Sequence, residues 1–238
     1  MQTILNIKGG LMTHLIAIGV VICVVGIAYS NAGLGSGLRF VFDDLAAVVR
    51  NEDVNPASPL GDVFRHDYWG TPIHLPGSHK SYRPLTVLSF RWNRQFALNA
   101  AKDDNRYLSK TLVPGQERTG SEDDCTYKRK SDGQFYVHTP QELSESFHAV
   151  NVLFHLLCTV FVYLFALNLS SSVTSPSGDV LTAFVASLIF GLHSIHTENV
   201  DGIVGRADLM AGVLVISAYL LYVNKWLFSS CALIVAAT

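Results

Sequence analysis

Apolar positions along this chain fall into long, unevenly spaced runs. The first run, Gly9 to Tyr29, is interrupted only by Thr13 and His14. As a helix it measures about 31 Å, enough to cross a bilayer. A cleaved signal peptide would have an apolar region of only about 7–15 residues, with a small-residue cleavage site behind it. Here the run is longer and Asn31-Ala-Gly-Leu-Gly is an ambiguous site, so the run reads as an uncleaved signal anchor. A second run, Phe147 to Leu169, carries His148, Asn151 and His155 in its first half. The third, Val180 to Ile195, barely reaches spanning length and is expected to tilt, thin the bilayer or partly re-enter. A fourth extends from Ile203 to Val223. The fifth starts at Trp226 and stops at Thr238, as expected of a truncated product.

The fold class this predicts is an all-α integral membrane protein. Composition agrees: 49% of residues are hydrophobic and only 15% charged, against about 25% charged in an ordinary globular domain. Seventeen basic and 19 acidic side chains leave a net charge of −2, so there is no basic field for nucleic acid. Of the four cysteines, Cys23, Cys158 and Cys231 lie in apolar runs and Cys125 stands alone in a polar one, which rules out a disulfide framework.

Orientation follows from the short connections. Lys8 and Lys225 fall on the same side if every run crosses, and the positive-inside rule makes that side cytoplasmic. Three regions result: residues 1–30, a cytoplasmic end and anchor; residues 31–146, a large luminal loop; and residues 147–238, the further spans. The sequon Asn168-Leu-Ser then faces the cytoplasm and stays unglycosylated. Within the loop, Phe40–Phe96 reads as ordered, with short helices, of which Asp43–Arg50 is expected to lie on the membrane. A charged insertion at about 99–143 follows; its core, Lys102–Asp132, mixes both signs without apolar periodicity and is expected to be mobile and solvated.

Polar and ionisable groups concentrate on the luminal face. Asp43 and Asp44 follow the first span; His148, Asn151 and His155 open the second. His193, His196 and Glu198 close the third, and Arg206 and Asp208 open the fourth. Such groups near a bilayer are costly and usually face a protein interior or a water-filled cavity, which points to a single luminal site.

Three motifs carry candidate chemistry. The tandem Asp43-Asp44 suits a general base, one carboxylate ionised while its neighbour holds substrate or solvent; alternatively the pair caps the short helix that follows. In the segment Phe64–Leu85, the cations and hydroxyls around His79, Lys80 and Arg83 could grip a phosphate, or the loop could be structural and hold its own carboxylates. His193 and His196, three apart, would share a helix face. With Glu198 they could bind zinc, but no fixed third ligand is visible, so no metal is expected. Arg206 is read as facing a lipid phosphate or pairing with Asp208.

Together, Val41–Val54, Phe64–Pro72, Ser78–Asn93, the F-H-x-x-N-x-x-x-H stretch Phe147–His155, and His193–Met210 resemble the N-terminal part of the TMTC family. Those are transmembrane proteins with C-terminal tetratricopeptide repeats. The resemblance covers roughly residues 38–96 and 147–223, with Ser194 where the family usually has Pro and Asn199 where it has Ala. It implies a GT-C-like protein O-mannosyltransferase of the endoplasmic reticulum membrane, moving mannose from dolichyl-phosphate-mannose to Ser or Thr hydroxyls of cadherin-type clients. In that reading Asp43 or Asp44 is the base. Lys80, Arg83, Arg206, His79 and His196 hold the donor phosphate; His193, Glu198, Asp208 and His155 support them, and neither cofactor nor metal takes part. The chain is expected to stop before the remaining spans and every repeat, leaving an incomplete or inactive fragment. A membrane adaptor binding a partner or Ca²⁺ through Asp103, Asp104, Glu122, Asp123 and Asp124 is the alternative from another class.

Overall fold

The computed structural model describes residues 10–34, 38–102, 126–128, 135–137, 143–170 and 176–237. In chain order the helices are α1 (Leu11–Ala28), α2 (Ser30–Leu34), α3 (Pro84–Lys102), α4 (Ser144–Ser170), α5 (Pro176–Leu192), α6 (His196–Asp201), α7 (Arg206–Val223) and α8 (Leu227–Ala237). One antiparallel pair of three-residue strands, β1 (Thr126–Lys128) and β2 (Phe135–Val137), sits within the charged insertion. The remainder of Lys102–Asp132 beyond its first residue and β1 lies outside the described residues, as do Lys8, Cys125 and the acidic residues Asp103, Asp104, Glu122, Asp123 and Asp124. The architecture is all-α and built for a membrane: Leu11–Ala28, Ser144–Ser170 and Ile203–Val223 are long and apolar enough to cross one. The third apolar run is shorter, its apolar helix spanning Asp179–Leu192.

The described chain forms two compact units, Met1–Gly35 with His148–Thr238, and Ser36–Phe147. In the first, Val21, Val25 and Tyr29 meet Val200, with Val152, Leu156, Phe184 and Leu188 around them. A second cluster joins Ala17, Tyr163 and Ala183. Helix α4 is inside-out. Its buried positions in this unit include His148, Asn151, His155, Thr159 and Tyr163, whereas Leu153, Leu157 and Leu169 are exposed. That is the arrangement a lipid solvent favours, because polar groups are costly to leave facing hydrocarbon. Tyr163 accordingly pairs with His14 of α1, hydroxyl to Nδ1 at 2.8 Å.

In the second unit α3 is the largest element, 19 residues against the short helices expected there. It starts at Pro84, whose fixed φ suits a first helical turn. Along its buried face Val87, Phe90, Arg91 and Arg94 follow the i, i+3, i+4, i+7 spacing of an amphipathic helix. The two arginines inside this stripe disguise it as a loop. Arg91 donates to the carbonyls of Asp53, Pro56 and Ser58 at 3.1, 2.8 and 2.6 Å, fixing the 3-10 turns Glu52–Val54 and Leu60–Phe64 against the helix. Phe40, Phe90 and Phe147 form the aromatic centre of this unit, with Phe147 lying 5.3 Å from Phe40 and 6.1 Å from Phe90.

Candidate functional site

The tandem aspartates sit on a turn pinned from both sides. Upstream, the Ser144 hydroxyl donates to the Leu38 carbonyl at 2.5 Å and Phe40 is buried against Phe147. Downstream comes a π-helical turn, Leu45–Val49, whose Ala47 and Val48 are wholly buried in the protein. Between these anchors Phe42 adopts φ +46°. The two carboxylates have different surroundings. Asp44 is 1% exposed and its Oδ2 accepts the Val41 amide at 3.2 Å; Asp43 is exposed. The helix-cap alternative is not what this turn does. Asp44 occupies the N-cap position of the π-helical turn but makes no side-chain cap bond, because its carboxylate bends back toward Val41.

The loop after it is organised by Asp67. This buried carboxylate accepts the Ser78 hydroxyl at 2.6 Å and the amides of Thr71, Trp69 and His79 at 2.9, 3.0 and 3.0 Å. Burial alone would raise its pKa, but the Ser78 hydroxyl and the three amides outweigh it and hold the carboxyl below its ordinary range. Nearby, Asp53 pairs with His66 Nδ1 at 2.9 Å; burial pushes this carboxyl up, with His66 pulling the other way. The loop thus holds its own carboxylates. Of the expected phosphate ligands, Lys80 is exposed at φ +60°, and its ammonium donates to the carbonyls of Ile73 and Leu75. Arg83 is exposed and stacks its guanidinium over Tyr68, 5.3 Å from the ring centre. The exposed His79 ring lies 6.1 Å from Trp69.

In the first unit, Asn151 is the organising side chain. Its amide nitrogen donates to the Gly202 carbonyl at 3.0 Å and lies 3.4–3.5 Å from those of Asn199, Val200 and Ile203. Its oxygen accepts Arg206 Nε at 2.8 Å. One residue thereby ties α4 to the turn between α6 and α7 and orients a completely buried guanidinium. Gly205 is required there: a Cβ would stand 2.5 Å from the Asn199 backbone. His155, one turn further along α4, bonds through Nε2 to the Gly191 carbonyl at 3.0 Å and lies 5.2 Å from the His196 ring. Because a carbonyl only accepts, that Nε2 carries the proton.

His193 and His196 do not share a helix face. Helix α5 ends at Leu192 and α6 begins at His196, so the chain turns between them, leaving the rings 6.4 Å apart. His193 is exposed; His196 is half-buried, and burial first, then its His155 and His193 neighbours, depress its pKa. Its ring is therefore neutral at pH 7. Glu198 and Asp208 are exposed. Among the described residues no three His, Cys, Asp or Glu side chains gather as metal ligands would.

Sequence reasoning missed the roles of Asp67 and Asn151. Asp67 could have been suspected from the turn-forming Gly70 and Pro72 after it. Asn151 had a clearer signal, an amide midway between two histidines on an apolar helix.

No family model and no solved structure matches the chain. Curated proteins do. It is 34% identical over 223 residues to protein O-mannosyl-transferase Tmtc3 of Drosophila melanogaster, covering 88% of this chain and 19% of that protein. To human protein O-mannosyl-transferase TMTC3 it is 34% identical over 186 residues, 78% of this chain and 15% of the relative. To mouse protein O-mannosyl-transferase TMTC1 it is 37% identical over 202 residues, 83% and 16% respectively. The chain thus spans about a fifth or less of the length of these relatives. This similarity along most of its length places the chain in the TMTC family.

Proposed function

We propose that this protein takes part in protein O-mannosylation: it transfers mannose from dolichyl-phosphate-mannose to Ser or Thr hydroxyls of luminal or secretory proteins, cadherin-like clients among them. In this reading it is a GT-C-type membrane transferase of the endoplasmic reticulum, with its N-terminus in the cytoplasm and residues 31–146 in the lumen. The relatives' names supply the reaction class, and the turn at Asp43 supplies a residue able to begin it.

The observation that carries the chemistry is the unequal pair, an exposed Asp43 beside a buried Asp44. An exposed carboxylate is open to an incoming hydroxyl, as a general base has to be. Asp43 removes the proton from the acceptor hydroxyl, whose oxygen attacks the anomeric carbon of the donor with inversion, through an oxocarbenium-like transition state. The bond from that carbon to the lipid phosphate breaks and the phosphate leaves with the bonding pair. Cationic and neutral donors stabilise the developing charge. Arg206, held in place by Asn151, is the buried cation for this role, with neutral His196 as hydrogen-bond donor. Lys80, Arg83 and His79 form a second, exposed set. His193, Glu198, Asp208 and His155 support the surrounding turns. A lipid phosphate leaves readily at neutral pH, so the residues named suffice for a mechanism with neither metal nor cofactor. The adaptor alternative gains no support from the described residues, since its acidic ligands lie outside them.

Asp43→Asn and Asp44→Asn, each in protein reconstituted in nanodiscs, test the assignment. Asp43→Asn is expected to lower mannosyl transfer by about a hundredfold or more, the usual contribution of a general base, with its melting temperature unchanged. Asp44→Asn is expected to lower the melting temperature as well. Normal transfer by Asp43→Asn removes it from the mechanism.

A further inference from the structure

Phe42 is 90% exposed, more than any other large apolar side chain among the described residues. Its φ of +46° lies in the left-handed region, which a bulky side chain rarely adopts and which tends to persist where function holds it. A π-helical turn, itself frequent at functional sites, follows within three residues.

At 90% exposure, the ring itself is not what holds the conformation. The chain is already fixed before it, by Ser144 on Leu38 and Phe40 on Phe147, and after it, by the Asp44 and Leu45 amides on the Val41 and Phe42 carbonyls at 3.0 and 3.2 Å. The ring is exposed between two well-anchored segments, and the residue that follows it, Asp43, is exposed as well. Insertion into lipid would be served by any apolar side chain and gives no reason for a strained aromatic beside an acid. A flat aromatic face beside a carboxylate suits a pyranose: the ring covers the sugar's C–H face while the carboxylate receives its hydroxyls or the hydroxyl that attacks it.

We infer that Phe42 is a sugar-contacting residue, the platform on which the mannosyl ring of the lipid-linked donor rests beside Asp43. This rests on the transferase reading above and adds to it the surface that recognises the sugar.

The test compares two ligands, a polyprenyl-phosphate-mannose and the same polyprenyl phosphate without sugar, bound to the protein in nanodiscs. Phe42→Leu keeps apolar bulk without the aromatic face. Phe42→Tyr keeps the face, and Phe42→Gly removes the ring while relieving the backbone. Phe42→Leu and Phe42→Gly are expected to weaken binding of the mannosyl lipid about fivefold to tenfold, the scale of one aromatic contact. Binding of the bare lipid phosphate and the melting temperature stay unchanged or, for Phe42→Gly, the latter rises. Phe42→Tyr stays within about twofold of wild type, and where transfer is measured the loss falls on KM rather than kcat. Equal loss for both lipids makes Phe42 a membrane or phosphate contact, and unchanged binding by Phe42→Leu makes it a bystander; either overturns the inference alone. Wild-type protein that binds neither lipid overturns the transferase reading and this inference with it.

Discussion

Asp67 and Asp43 are both loop carboxylates, and their surroundings give them opposite properties. Asp67 accepts four hydrogen bonds inside the protein, whereas Asp43 is left open to solvent. Because those donors lower the folded-state pKa of Asp67, its stabilising contribution is complete above the unfolded value of 3.8. It is lost as the pH falls from there through the lower folded value. Asp67→Ala is expected to cost about 2–4 kcal/mol, the scale of several donors left unsatisfied, and to flatten the loss of stability as the pH falls below the unfolded value of 3.8 in denaturant titrations. An unchanged acid limb in the variant would mean that the four hydrogen bonds do not govern it. The sequence placed Asp43 and Asp44 correctly just before a helical turn but could not tell them apart. Which of two adjacent carboxylates is buried depends on the backbone reversal at Phe42, and nothing in the composition of Val41–Asp44 announces a left-handed phenylalanine. His193 and His196 illustrate the same gap: their spacing suits a helix, yet the chain leaves α5 at Leu192 before reaching the first of them.

At the level of elements, the apolar runs were legible because a membrane span needs only length and the near-absence of charge. Leu11–Ala28, Ser144–Ser170 and Ile203–Val223 match the first, second and fourth runs in position. Helix α3 was less legible, since two arginines sit on its buried stripe and one of them, Arg91, donates to loop carbonyls in a way no periodicity reveals. Close packing of α5 is also invisible in the sequence. A Cβ on Gly191 would stand 2.6 Å from Val25 Cγ2 of α1 and 2.9 Å from Thr159 Cγ2 of α4, so three helices approach one another where this residue lacks a side chain. Gly191→Val is therefore expected to destabilise the first unit by about 1–3 kcal/mol through overpacking, read as a lower melting temperature in detergent. It also displaces the carbonyl that His155 holds. A melting temperature equal to wild type would show that the three helices are not in close contact.

For the molecule as a whole, membership of the TMTC family and an all-α membrane architecture rest on separate grounds, similarity to curated relatives and the helices themselves. The proposed reaction needs both. The lipid-linked donor requires a site at the membrane, and the acceptor hydroxyl requires a base, the role proposed for the exposed Asp43. Since the chain spans about a fifth or less of its relatives' length, the direct question is whether its own residues carry out transfer. The decisive measurement is to incubate the protein in nanodiscs with dolichyl-phosphate-mannose and a Ser/Thr acceptor peptide, and to read the configuration at the anomeric carbon of the product by NMR. A mannosyl peptide whose configuration is opposite to the donor's is the predicted result. Retained configuration, or no mannosyl peptide from folded protein that binds the donor, would contradict the mechanism.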